Sequence, residues 1–303
     1  MLEYPEIVCM RNQMRGTLVG KRIERVFVED KAKYAGTIRQ SLLTQPPEAF
    51  RRGLEGGVVV GVENISQTLL LAVGTRCTLS LGAIYGSIRF HPTEETLPKQ
   101  KRPCLQLDFS DGTYLTVVIS LFGEIRVLDE AEGTDYLSNQ DTRLVTPDSE
   151  RFTLEGFRAA LAEDQIAKRS AKKLLTSRMP IYYVDGLGGG YVGEFLYQAK
   201  VHPRRKLSSL TAGEQEAYYR AIKEVTAEAI AQGGRWNEKD LLGNPGGFVP
   251  HVCKDTLGQP CPECGATIER FRFEGGYCYV CPGCQSLPST QRPHMPTLIG
   301  GKQ

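Results

Sequence analysis

Two cysteine pairs near the C-terminal end constrain this chain most: Cys261-Pro-Glu-Cys264, sixteen intervening residues, then Cys281-Pro-Gly-Cys284. C-x2-C pairs at that separation predict a tetrahedral structural zinc site, because each pair forms a tight knuckle that turns two thiolates toward one ion. The segment between them has the length of a β-hairpin that carries the second pair back to the first. A disulfide framework is the alternative, but nothing else in the chain points to export. Cys278 and Cys281 also make a C-x2-C. Cys281 and Cys284 are preferred because Cys281-Pro-Gly-Cys284-Gln285 repeats the form of Cys261-Pro-Glu-Cys264-Gly265, which leaves Cys278 as a strand residue beside the site. The expected cofactor is one structural Zn2+ per chain.

The rest of the chain reads as an ordinary soluble protein. Its 303 residues are enough for two domains, or for one large domain and a small module. No run of about eighteen apolar residues suggests a membrane span. The start, MLEYPEIVCMRN, carries Glu3 and Glu6 and suits no signal peptide. The expected compartment is a reducing cytosol, which also fits nine cysteines, an odd count. A net charge of +2 neither requires nor excludes nucleic acid. Its distribution is more telling: Lys168, Arg169, Lys172 and Lys173 precede a Gly-rich turn, and His202, Arg204, Arg205 and Lys206 follow it. That pattern is either a phosphate-facing rim or two solvated helix ends.

Apolar Ile7, Met10 and Met14 at helical spacing predict a helix over residues 6–15, ended near Gly16 and Gly20. Short runs follow at Ile23–Val28, Val58–Val62, Thr68–Val73, Thr78–Leu81, Ile84–Phe90, Leu105–Phe109, Tyr114–Ile119 and Ile125–Leu128, separated by Gly, Pro, Asp or Asn. They predict a β-sandwich. A polar stretch without periodicity over 129–150 reads as a linker. Helices are then expected at Leu154–Leu161, Ile166–Leu175 and Tyr191–Ala199. Thr211 and Glu214 form a capping box that opens a long helix stopped at Gly233-Gly234. The resulting fold class is multidomain α+β: an N-terminal helix plus β-sandwich domain (1–135), a linker (136–150), a helical domain (151–250), a zinc-finger β-hairpin (251–286) and a flexible tail (287–303).

Asp185-Gly186-Leu187-Gly188-Gly189-Gly190-Tyr191 lies between two of the expected helices. Glycines let the backbone approach a ligand and leave amides pointing outward, which suits an anion such as phosphate. A dinucleotide-binding loop is rejected because no strand precedes it. A flexible helix-helix connector is the plain alternative.

These residues, in this order, resemble the formamidopyrimidine-DNA glycosylase and endonuclease VIII family. Met1-Leu2-Glu3-Tyr4-Pro5-Glu6-Ile7 is similar to the family's M-P-E-x-P-E-[VI] start. Gly186-Leu187-Gly188-Gly189-Gly190-Tyr191 is similar to G-[VI]-G-N-x-Y, Ala199-Lys200-Val201-His202-Pro203 to A-x-[IV]-H-P, and the cysteine segment to the family's zinc finger. The resemblance covers nearly the whole chain. It implies a base-excision repair enzyme with a helix-two-turn-helix DNA-binding domain, acting as a monomer on double-stranded DNA that contains damaged or abasic nucleotides. It further implies a bacterial-type cytosol near the nucleoid, with no membrane.

The same resemblance implies roles for single residues. Family chemistry starts from the amine of an N-terminal proline, and Leu2 stands at that position. Leucine disfavours removal of the initiator methionine, so the free amine is expected on Met1, displaced by about one residue or ~3.8 Å. Such an α-amine, with a reference pKa of about 8, is still a potential nucleophile. Glu3 is implied as general acid/base and Glu6 as a residue that holds the site; apart from the resemblance, both read as ordinary helix caps. For DNA binding, the implied positions are Lys172, Gly188, Gly189, Tyr191, Phe122 and Gly276. Phe122-Gly123 matches a Phe-Gly whose ring fills the gap left by an everted base, and Ser120 and Leu121 before it lack the usual Arg pair. Gly189 replaces an Asn, Gln67 aligns with a strand Lys, and Gly276 falls where the zinc finger carries an Arg.

Two readings follow. One is a DNA N-glycosylase, with or without AP-lyase activity, that excises a damaged base using Glu3 and water or the displaced amine. The other is a non-catalytic sensor of bent or damaged duplex. The enzyme is favoured because Glu3 and Glu6 have no part in phosphate binding. An RNA-binding zinc ribbon would explain the cysteines but not the N-terminal motif.

Overall fold

Helix α1 (Tyr4–Leu18) starts at Glu3, whose extended backbone caps it, with Pro5 in its first turn. Proline is tolerated there because the first helical amides have no intrahelical acceptor. Ile7, Met10, Met14 and Leu18 repeat every three or four residues and are fully buried, so one face of the helix belongs to the core. The computed structural model describes residues 2–29, 45–75, 77–98, 103–133, 145–176 and 184–287. Met1, most of the expected linker, and the expected tail beyond residue 287 lie outside them.

Eight strands follow α1: β1 (Ile23–Val28), β2 (Val59–Ile65), β3 (Thr68–Val73), β4 (Cys77–Gly82), β5 (Gly86–His91), β6 (Leu105–Phe109), β7 (Tyr114–Ile119) and β8 (Glu124–Asp129). They form two four-stranded antiparallel sheets, ordered β1-β6-β7-β5 and β2-β3-β4-β8. Leu69, Leu71, Leu79, Leu81, Ile125 and Val127 of one sheet, and Val26, Leu105, Leu107, Leu115, Val117 and Ile88 of the other, share a single buried cluster with α1. Alternate residues of each strand face this cluster, as in a sandwich, and several residues of the outer faces, among them Ser80, Thr116 and Leu128, are buried as well. A helix without counterpart in the sequence reading, α2 (Pro47–Leu54), adds Phe50 and Leu54 to the cluster.

The chain divides into two compact units. The first holds residues 1–149, 184–186 and 226–249, and the second 150–183, 187–225 and 250–303. Residues 226–249, which the sequence reading places in the helical domain, pack in the first unit. Leu241 fills the sandwich core, and Arg89 Nη1 donates to the Asp240 carbonyl at 2.6 Å.

In the second unit are α3 (Leu154–Ala162), α4 (Asp164–Ala167), α5 (Lys173–Thr176), α6 (Val192–Gln198) and most of α7 (Ala212–Ala231). The single helix expected over 166–175 is broken. The amides of Ala171 and Lys172 donate to the carbonyls of Arg205 and Pro203 (2.7 and 3.2 Å) rather than to the preceding turn. The capping box forms as expected: Glu214 N donates to Thr211 Oγ1 at 3.2 Å and Thr211 N to Glu214 Oε2 at 2.8 Å. Strands β9 (Glu269–Phe273) and β10 (Gly276–Val280) make the expected hairpin.

Candidate functional site

In the first unit, Glu3 and Glu6 are 3% and 4% exposed. Burying two carboxylates is costly unless cations and donors meet them. Arg235, itself 6% exposed, is the cation. Its Nε and Nη2 lie 3.2 and 3.3 Å from Glu6 Oε1 and Oε2, and its backbone amide donates to Glu6 Oε1 at 3.1 Å. Glu6 Oε2 also accepts from Glu3 N at 2.9 Å. Glu3 Oε1 is 3.7 Å from Arg235 Nη1, and Glu238 adds a third carboxylate at 3.5 Å. Glu6 is thus a structural anchor, whereas the ion-pair contact of Glu3 to the same guanidinium is longer. The turn after α7 makes this possible: Gly234 has φ +92°, and a Cβ there would stand 3.0 Å from Glu6 Cγ. The sequence reading treats Gly233-Gly234 only as a helix stop and misses Arg235.

Leu2 is 1% exposed and belongs to the sandwich core, and its nitrogen donates to the Ile84 carbonyl at 3.3 Å. Both its side chain and its N–H are therefore engaged in the fold. The amine expected on Met1 lies outside the described residues. Gln67 donates from Nε2 to the Gly186 carbonyl at 3.1 Å, a bond Tyr4 N shares at 2.8 Å. Here the side chain ties the Gly186 loop to the turn between β2 and β3, and the Tyr4 amide ties the same carbonyl to α1.

Phe122 packs on the sandwich core, and its ring meets that of Tyr85, with centroids 5.2 Å apart at 45°. Tyr85 is 40% and Leu121 48% exposed, so an apolar ridge reaches solvent around Phe122. Tyr85 is a second residue missed in sequence, where it reads as part of a strand; its signal is an aromatic one residue before Gly86. Gly123, with φ +156°, would bring a Cβ within 3.1 Å of Ile84 Cδ1, which accounts for the Phe-Gly pair.

In the second unit, the space around the α-carbon of Gly189 is open. The Val192 amide donates to the Gly188 carbonyl at 3.3 Å. Tyr191 is fully buried and stacks on Phe195, so any contact it makes with a ligand is through its backbone. Lys172 is 7% exposed and donates from Nζ to the Phe273 carbonyl at 2.5 Å. Gly276 faces it: a Cβ at that position would lie 3.6 Å from Lys172 Nζ.

The sulfurs of Cys261, Cys264, Cys281 and Cys284 lie within 4.8 Å of one another. Cys261 and Cys284 are 3.8 Å apart, close to the ~3.8 Å edge of a tetrahedron with Zn–S bonds of about 2.3 Å. Four soft thiolates in that arrangement fit zinc. Gly283 leaves the room, since a Cβ there would lie 2.7 Å from Cys264 Sγ. Burial pushes the Cys261 thiol up, but the hydroxyl of Tyr197, 3.2 Å from its sulfur, and the amides of Cys264 and Glu263 bring its pKa down to about 6. Cys278 is buried on β10 and stands apart from the cluster.

Residues 1–120 match the model of the formamidopyrimidine-DNA glycosylase N-terminal domain, and residues 145–239 that of the formamidopyrimidine-DNA glycosylase H2TH domain. A formamidopyrimidine-DNA glycosylase of Lactobacillus delbrueckii subsp. bulgaricus is 30% identical over 94% of this chain and 99% of its own. One of Listeria monocytogenes is 26% identical over 94% of this chain and 100% of its own. Among solved structures, a Lactococcus lactis Fpg in complex with abasic-site DNA superimposes with a TM-score of 0.79 at 23% identity, covering 94% of this chain and all of that one.

Proposed function

The chain belongs to the formamidopyrimidine-DNA glycosylase family, and from that premise we propose that it is a DNA-repair glycosylase that binds damaged duplex and excises the damaged base with Glu3 as general acid/base. The observation that carries this reading is the burial of Glu3 beside Arg235 and Glu6 at the start of α1. A carboxylate kept in a dry site at the cost of desolvation, and serving no phosphate, suits proton transfer.

In the proposed reaction the base is everted from the stack. Glu3 takes a proton from water as the water oxygen bonds to C1′; the C1′–N bond breaks with its electron pair going to the base nitrogen, and the proton taken by Glu3 passes to that nitrogen. The Leu2 nitrogen already donates to Ile84, so the Met1 amine is the candidate for covalent attack and lyase chemistry. The ridge of Tyr85, Leu121 and Phe122 supplies the apolar surface to fill the gap left by the base. Zn2+, when held by Cys261, Cys264, Cys281 and Cys284, stabilises the hairpin and takes no part in the chemistry.

The partner is double-stranded DNA with a damaged or abasic nucleotide; the Lactococcus lactis structures hold abasic-site and Fapy-dG DNA. No helix among the described residues is long and apolar enough to cross a membrane. The test is a panel of duplexes carrying oxidised purines, oxidised pyrimidines, abasic sites or bulky adducts. Base release from at least one is expected. Binding to abasic duplex without release from any lesion would replace the enzyme with a damage sensor. Borohydride trapping reports separately on the amine.

A further inference from the structure

The zinc hairpin has one face on which two cations gather without, among the described residues, an ion-pair partner. β9 and β10 pair Phe273 with Gly276 and Phe271 with Cys278. Directly opposed residues of an antiparallel ladder share a face, so these four lie on one side. On that side Arg204 lays its guanidinium carbon 4.7 Å from the Phe271 ring centroid and 5.2 Å from that of Phe273. His202 stacks on Phe271 with centroids 5.3 Å apart and planes 5° from parallel, and its Nδ1 accepts the Arg204 amide at 3.1 Å. Lys172 reaches the same strand pair, with Nζ donating to the Phe273 carbonyl. Burial raises the pKa of the Cys278 thiol on this face, and Lys172 and Arg204 pull it back.

Among the described residues, neither Arg204 nor Lys172 forms an ion pair. The nearby carboxylate, Glu274, accepts the Ser170 hydroxyl at 2.6 Å. An arginine stacked on aromatic rings keeps its N–H donors in the guanidinium plane, where they match the oxygens of a phosphate. Glycine at 276 leaves no side chain to cover that edge.

We propose that Arg204 takes over the phosphodiester contact on the Gly276 face of the zinc hairpin, where the family's zinc finger carries an arginine, as the forked ligand beside Lys172, whose part in DNA binding the resemblance already implies. The proposal rests on the duplex-binding reading above. It differs from general attraction by the hairpin, because Arg270 and Arg272 project from the opposite face, around Tyr277 at 4.5 and 5.2 Å.

The experiment measures binding of the full-length, zinc-loaded protein to duplex DNA carrying an abasic-site analogue, over a series of salt concentrations. Arg204→Ala is expected to weaken binding on the order of tenfold and to lower the slope of log K against log salt by about one. Arg204→Lys should keep the slope and recover part of the affinity. In the Arg204→Ala background, Gly276→Arg should restore the slope, since its Cβ meets nothing closer than Lys172 Nζ at 3.6 Å. Unchanged affinity and slope in Arg204→Ala would overturn the site while leaving the function reading intact. So would an equal loss in Arg270→Ala, which would mean diffuse charge. If the wild-type protein does not bind the duplex, both fall together.

Discussion

Arg235 holds the Glu6 carboxylate with a forked contact, Nε 3.2 Å from Oε1 and Nη2 3.3 Å from Oε2, across 229 positions of sequence. The same guanidinium stands 3.7 Å from Glu3, so a residue after α7 sets the electrostatics at the start of α1. Replacing it strands a buried carboxylate. Arg235→Met is expected to lower unfolding free energy by about 3–5 kcal/mol, read from urea titration. Arg235→Lys should recover only part of that loss, because an ammonium cannot make the forked contact. Wild-type stability in Arg235→Met would mean that the cluster is not held as described.

Leu2 is core rather than surface. At 1% exposure, its truncation to Ala should cost about 2–5 kcal/mol. A cost of a few tenths, measured by the same titration, would indicate that the first residues are not docked in solution.

The metal assignment predicts one zinc per chain by elemental analysis. Cys284→Ser is expected to lose it and Cys278→Ser to retain it, since only the former removes a sulfur of the cluster. Zinc should also leave as pH falls, because protons compete with the metal for thiolate. Loss of zinc in Cys278→Ser alone would reassign the second pair.

His202 provides a pH signature in the second unit. Burial lowers its pKa to about 4, helped by Arg204 and Arg205, from a reference of about 6.5. The fold therefore favours the neutral ring. Its contribution is complete above about pH 6.5 and is lost as pH falls toward 4, where the unfolded chain binds a proton that the folded chain refuses. His202→Phe keeps the stack on Phe271 and should flatten the pH dependence of stability across that window. A parallel decline in wild type and variant would assign the effect elsewhere.

Much of this was readable where the signal is local. The apolar repeat of Ile7, Met10 and Met14, the short runs of the eight strands between turn residues, the Thr211 and Glu214 box and the cysteine knuckles are each short-range consequences of backbone geometry. Helix α2 escaped because Pro46 and Pro47 read as loop and only Phe50 and Leu54 carry its apolar face. The break between α4 and α5 is dictated by carbonyls of Pro203 and Arg205, some thirty residues on, which no pattern within 166–175 reports. The role of Arg235 escaped for the same reason, since its partner Glu6 is distant in sequence, and Tyr85 reads only as a strand aromatic before Gly86 because Phe122, which it meets, is distant too. The family resemblance located Glu3 and Glu6, but the cation that makes their burial tolerable needed coordinates.

The central claim is that Glu3 is the acid/base of a base-releasing enzyme. Single-turnover release of a damaged base from duplex DNA, compared between wild type and Glu3→Gln with zinc content and abasic-duplex binding measured in parallel, tests it most directly. The account predicts release by the wild type and a fall on the order of a hundredfold or more in the variant. Equal release rates in the two proteins would contradict it.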